Sequence, residues 1–187
     1  MIVGLAAIGW SRSAIADDLP AIAERVERAW RREILAGERA AEHPVARVGA
    51  GGVVVRGLAR AEGDSLYGGA RAAEARGQVT VLYWWASWCP FCAVQSPHIE
   101  KLWRKERTRG LQVLALSIDR TREAAAAYLQ QKGYTFPAAM LTPEVAKVLP
   151  KPKGLPVVVV RGRDGKVAFA EAGEMFPEDI EGLAKFL

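Results

Sequence analysis

The stretch 79–97, VTVLYWWASWCPFCAVQSP, decides the fold. Residues 79–85 are apolar or β-prone without a breaker, the pattern of a buried strand. Ala86-Ser87-Trp88 make a short turn, and from Cys89 onward the residues take helical spacing. A C-x-x-C between a strand and a helix is the pattern of a dithiol–disulfide redox site. Two intervening residues put both sulfurs on the first helical turn, close enough to bridge. Cys89 is expected at the helix N-terminus, where unpaired N–H groups and the helix dipole favour a thiolate. Pro90 suits the first helical position, where its missing N–H has no intrahelical partner. Cys92 is expected one turn deeper and less exposed. Cys89 is then the attacking thiolate and Cys92 the thiol that resolves the mixed disulfide.

Other uses of two cysteines are a zinc site, a structural disulfide or a pair of core thiols. Zinc normally needs four ligands. The chain has only these two cysteines, and its two histidines, His43 and His98, are not at ligand spacing. The strand–CxxC–helix context favours redox chemistry over a structural disulfide without eliminating the latter.

The segment 84–92, WWASWCPFC, resembles the active-site segment of the thioredoxin superfamily, and W-A-S-W-C resembles its bacterial TlpA/ResA-like branch of extracytoplasmic thiol–disulfide oxidoreductases. Pro97, five residues after Cys92, matches the proline that kinks the active-site helix in that family. The similarity runs from about residue 78 to the C-terminus. It implies an α/β thioredoxin-like fold, a central mixed sheet flanked by helices, with an extra N-terminal helix in this chain. It also implies no metal, nucleotide or flavin, the redox-active group being the Cys89–Cys92 disulfide itself.

Outside the motif, the chain of 187 residues suggests one domain with extensions. Half of it is hydrophobic and a quarter charged, ordinary for a globular protein. No run reaches the roughly 18 apolar residues of a membrane span. The net charge of +5 comes from arginines scattered over helix faces, without aromatic interleaving, which argues against nucleic-acid binding. Residues 1–16 resemble a secretory signal or anchor, an apolar core followed by the A-x-A-like Ala14-Ile15-Ala16, although no Lys or Arg precedes the core. That placement implies a periplasmic or extracytoplasmic protein. Residues 17–43 read as an amphipathic helical extension with a stripe of Ile22, Val26, Ala29 and Trp30, able to cover the domain or to form a dimer. Residues 44–187 make the thioredoxin-like domain. Its start, 44–77, suggests two short strands at 45–48 and 53–55, glycine turns at 51–52 and 68–69, and a helical turn at 70–76.

Downstream, residues 111–117 read as a second strand and 120–132 as a helix ended by Gly133. The strand–helix–strand order predicts a parallel pair at the sheet centre. A short strand at 138–141, a small helix at 144–149 and a strand at 157–160 follow. Asp164-Gly165 signals a hairpin with residues 166–171, and 178–187 is the last helix. Leu155-Pro156 occupies the place of the family's cis-proline, facing the CxxC; X–Pro bonds alone adopt cis at modest cost. By resemblance, Trp88, Pro90, Phe91, Leu155 and Pro156 are the residues that meet a substrate, with the Leu155 backbone pairing to a substrate strand.

Three positions depart from relatives. The residue six before the first cysteine, often a buried Asp in thioredoxins, is Tyr83. Three after the second cysteine, where several reductive members carry Glu, stands Gln95. Neither acid is present to take the Cys92 proton, and the register makes His98 and Glu100 poor substitutes. The dipeptide Pro90-Phe91 lies between the Gly-Pro of reductive thioredoxins and the Pro-first pairs of DsbA-type oxidants, so an intermediate potential is expected. The function implied is disulfide exchange with partner proteins, as a reductase reset by a membrane electron donor. The same pair can run backwards as a DsbA-like disulfide donor. A non-catalytic binding or copper(I)-handling module is the alternative from another class, since thiolates suit copper(I). A binding module survives Cys89→Ser with its partner affinity intact, whereas an enzyme loses turnover.

Overall fold

The computed structural model describes residues 18–28, 65–67 and 77–187. Residues 19–28 are helical (α1). The rest comprises β1 (Ser65–Tyr67), β2 (Val79–Trp85), α2 (Pro90–Glu106), β3 (Leu111–Ser117), α3 (Arg122–Lys132), β4 (Ala138–Met140), α4 (Pro143–Val148), β5 (Val157–Arg161), β6 (Val167–Ala172) and α5 (Pro177–Gly182). The strands form one six-stranded mixed sheet in the order β1-β4-β3-β2-β5-β6. β2 lies at its centre, parallel to β3 and antiparallel to β5.

All seven residues of β2 and all five of β5 are buried, as the unbroken apolar runs require of central strands. α2 buries Cys92, Gln95, Ser96, Ile99, Leu102, Trp103 and Glu106, a stripe of helical period that lays the helix on the sheet. Gly110 (φ 95°) turns the chain from the end of α2 into β3, and Gly133 (φ 66°) closes α3 in a left-handed cap. α3 begins two residues later than expected, at Arg122, because the Thr121 hydroxyl accepts the Ala124 N–H and sets the start. Thr142 caps α4 in the same way, so that helix starts at Pro143. The last helix is α-helical only to Gly182 and ends in a 3-10 turn, Leu183–Phe186.

β1 is an addition to the expected elements. It pairs antiparallel with the edge of β4. The strands expected at 45–48 and 53–55, the turns at 51–52 and 68–69, the helical turn at 70–76 and the leader at 1–16 lie outside the described residues. In α1, Ile22 and Val26 are each 3 % exposed and join the domain's own core. Arg25 donates to the Lys147 carbonyl, Glu27 accepts the Val167 N–H, and Asp18 pairs with Lys153. This part of the stripe therefore covers the domain rather than offering an apolar face to a second copy. Among the described residues no helix is long and apolar enough to cross a membrane.

Candidate active site

The C-terminal end of β2 carries the site. Trp84 and Trp85 are fully buried and anchor the strand end, and the Ile118 N–H donates to the Trp85 carbonyl. The turn 86–88 then swings to Cys89, which is the N-cap of α2 with extended backbone (φ −86°, ψ 113°). Pro90 is the first helical residue, as its sequence position predicts. The Cys89 sulfur accepts the Cys92 N–H at 3.2 Å, so it takes the place of a capping oxygen. The first turn of α2 holds no acidic residue to oppose a negative sulfur.

The two cysteines are free thiols and differ in acidity. A hydrogen bond from the Cys92 thiol holds the Cys89 thiol below its ordinary value; burial opposes it, and the Cys92 and Phe91 N–H groups add to it. Burial first, then the hydrogen bond to Cys89 and the charge there, push the Cys92 thiol far up. The two thiols are thus unequal, the lower pKa lying at Cys89. Their exposure does not divide as expected: Cys89 is 2 % exposed and Cys92 1 %. Cys89 is covered because its sulfur turns inward to cap the helix.

Leu155-Pro156 is cis. In the β2–β5 register Trp84 pairs with Val157, which sets Pro156 level with the end of β2, at the same end of the sheet as the CxxC turn. Leu155 and Pro156 are both buried. The Pro156 carbonyl is itself engaged by the Gly173 N–H at 2.8 Å. Trp88 is 53 % exposed, Pro90 exposed and Phe91 half-buried, flanking Cys89 on the surface.

Tyr83 is fully buried, with its hydroxyl 2.9 Å from Ser96 Oγ and 3.4 Å from the Cys92 carbonyl. Burial, with the nearby Cys92, raises its pKa well above the ordinary phenol value. Gln95 is equally buried but turns away from the thiols: its Oε1 accepts the Met175 N–H at 2.9 Å, tying α2 to the segment before α5. Pro97 sits inside α2 with its ring exposed. Glu100 is remote in function. It accepts from Thr135, Phe136 and Arg104 and fixes the entry to β4.

Asp119 is the residue that sequence reasoning missed. It lies two residues past the end of β3 and is 7 % exposed. Its carboxylate accepts the Ser87 N–H (3.1 Å), the Ser87 hydroxyl (2.7 Å) and the Ser117 hydroxyl (2.7 Å), clamping the turn that leads into Cys89. Its place at the carboxyl end of a central strand, beside the strand that carries the motif, is the signal that could have found it.

Sheet order, cis-proline and a helix-capping CxxC together define a thioredoxin-fold protein with a dithiol site. The AhpC/TSA family model matches residues 62–169, and the chain belongs to that family. Over 112 residues it is 29 % identical to the thiol-disulfide oxidoreductase ResA of Bacillus thuringiensis (strain Al Hakam), covering 60 % of this chain and 65 % of that protein. The chain therefore spans a little under two thirds of the curated relatives it matches. The fold is shared with a thiol:disulfide interchange protein of Chlorobium tepidum TLS (TM-score 0.59, 20 % identity, 65 % of this chain and 92 % of that one). A secreted Mycobacterium tuberculosis disulfide oxidoreductase homologous to E. coli DsbE also shares it (TM-score 0.57, 18 % identity, 66 % and 93 %).

Proposed function

We propose that this chain is a protein thiol–disulfide oxidoreductase that works as a reductase outside the cytoplasm. The observation that carries this is the Cys89 sulfur capping α2, held by the Cys92 N–H with its acidity raised while that of Cys92 is suppressed. The Cys89 thiolate attacks one sulfur of a partner's disulfide, and the partner's other sulfur leaves as a thiolate. A mixed disulfide results. Cys92 loses its proton and attacks the Cys89 sulfur; the partner's remaining sulfur departs and takes up a proton. Two electrons have passed from the pair to the partner, and Cys89–Cys92 is a disulfide that an external dithiol donor, membrane-bound on this reading, must reduce.

Trp88, Pro90 and Phe91 present the partner-facing surface beside the nucleophile, and the Leu155 backbone offers a pairing edge. The extracytoplasmic placement is supported by the leader-like residues 1–16, and the reaction by the ResA-named relatives. The test is capture of a small disulfide-bonded protein such as insulin. Cys92→Ser is expected to hold it in a stable mixed disulfide through Cys89, and Cys89→Ser to hold none. Capture through Cys92 instead, or no capture by either variant, overturns the assignment.

A further inference from the structure

The resolving step needs Cys92 as a thiolate, and burial works against that charge. No carboxylate is within hydrogen-bond reach of it among the described residues. Asp119 is committed to Ser87 and Ser117, and Glu100 to Thr135, Phe136 and Arg104. The polar groups beneath Cys92 are the hydroxyls of Tyr83 and Ser96, one from the central strand and one from the next turn of α2. The Tyr83 ring is fixed edge-on against Phe136 (6.4 Å, 86°), so its hydroxyl has little freedom to leave this position.

We propose that Tyr83, its hydroxyl joined to Ser96 and the Cys92 backbone, is a positioning residue that donates a hydrogen bond to the Cys92 thiolate during resolution, in place of a buried carboxylate. The role differs from that of an acid in kind. A buried carboxylate can accept the thiol proton, whereas a phenol whose pKa is raised by burial stays neutral and serves the sulfur as a donor, not as a base. The Tyr83 hydroxyl also pulls the Cys92 pKa downward, against the larger upward effect of burial. Ser96 Oγ, 2.9 Å away, can donate to the phenol oxygen, which leaves the phenol hydrogen, here given to the Cys92 carbonyl over a long 3.4 Å, to turn to the sulfur of the same residue. The titratable groups acting on this pair are Cys89 and Cys92 at the start of α2 and Tyr128 from α3; β5 sets Val158 opposite Tyr83, and its one charged residue, Arg161, lies at the far end of the strand on Gln78 and Thr80.

The inference rests on the exchange reaction proposed above, but the resolving step can be read without any partner protein. Rapid mixing of the reduced protein with dithiobis-nitrobenzoate releases one thionitrobenzoate when Cys89 is captured and a second when Cys92 resolves the mixed disulfide. In Tyr83→Phe the second phase is expected to slow about tenfold, the order of one charge-assisted hydrogen bond. Its pH midpoint moves upward, and the first phase keeps its wild-type rate and profile. Ser96→Ala slows the second phase less and in the same direction. Meta-fluorotyrosine at position 83, a more acidic donor, is expected to restore or exceed the wild-type rate, and it decides the matter if Tyr83→Phe does not fold. Equal slowing of both phases in Tyr83→Phe, or a second-phase profile in both position-83 variants that coincides with wild type, overturns the role. A normal second phase in a protein that captures no protein disulfide overturns the function above and leaves the Tyr83 result standing.

Discussion

Asp119 holds the turn before the nucleophile, and its removal has a calculable cost. In Asp119→Ala the Ser117 hydroxyl, fully buried, loses its acceptor, which costs about 1–3 kcal/mol. The Ser87 N–H and hydroxyl lose theirs too, but Ser87 is half-buried and water replaces part of the loss, leaving about 1 kcal/mol. The sum is about 3 kcal/mol, which for a chain of this size lowers Tm by about 6–12 °C. Asp119→Asn keeps one acceptor oxygen and turns a donor toward the others, so it recovers about half of the loss. Urea unfolding gives the stability, and iodoacetamide trapping of Cys89 reports the turn. Alkylation is expected to quicken in Asp119→Ala, because a loosened turn uncovers a sulfur that is now 2 % exposed. A loss below about 1 kcal/mol with unchanged alkylation would refute the clamp.

Two further outcomes follow from the same geometry. Burial raises the Glu100 carboxyl, but hydrogen bonds from Thr135, Arg104 and Phe136 overcome it, so its folded value lies below the ordinary one. Its contribution is therefore complete above the unfolded value near 4.3 and is lost as pH falls through the lower folded value. Glu100→Gln is expected to cost about 2 kcal/mol at neutral pH, and the gap to wild type should close in acid; urea curves at several pH values check it, and a constant gap contradicts it. For Cys89, the pH at half-maximal alkylation should lie below the ordinary thiol value of about 8.5 and move up in Cys92→Ala, which removes the hydrogen bond that most depresses it. An ordinary value in wild type contradicts the capping role.

The central part of this fold is legible in residues 79–97 because each local signal agrees with the next: an unbroken apolar strand, a turn, a proline at the first helical position. β3, β5 and the Asp164-Gly165 hairpin were readable for the same reason, and the cis bond at Leu155-Pro156 through the resemblance to the family's cis-proline. What escaped depends on neighbours distant in sequence. β1 is three residues long and becomes a strand only through pairing with β4. Asp119 gains its role only because β3 lies beside β2, which brings its carboxylate to Ser87 across 32 positions of sequence. Gln95 and Tyr83 could be named as departures from relatives, but only the packed structure shows that one turns to Met175 and the other stays beneath Cys92. The inward turn of the Cys89 sulfur, which leaves the nucleophile as covered as its partner, is likewise a product of capping and not of composition.

The reduction potential of the Cys89–Cys92 pair, by equilibration with glutathione at neutral pH, tests the account most directly. A thiolate stabilised by the α2 N-terminus and by Cys92 predicts a reversible two-electron transition between about −270 and −120 mV, toward the first value for a reductase. A potential below that window, or no reversible transition, contradicts it.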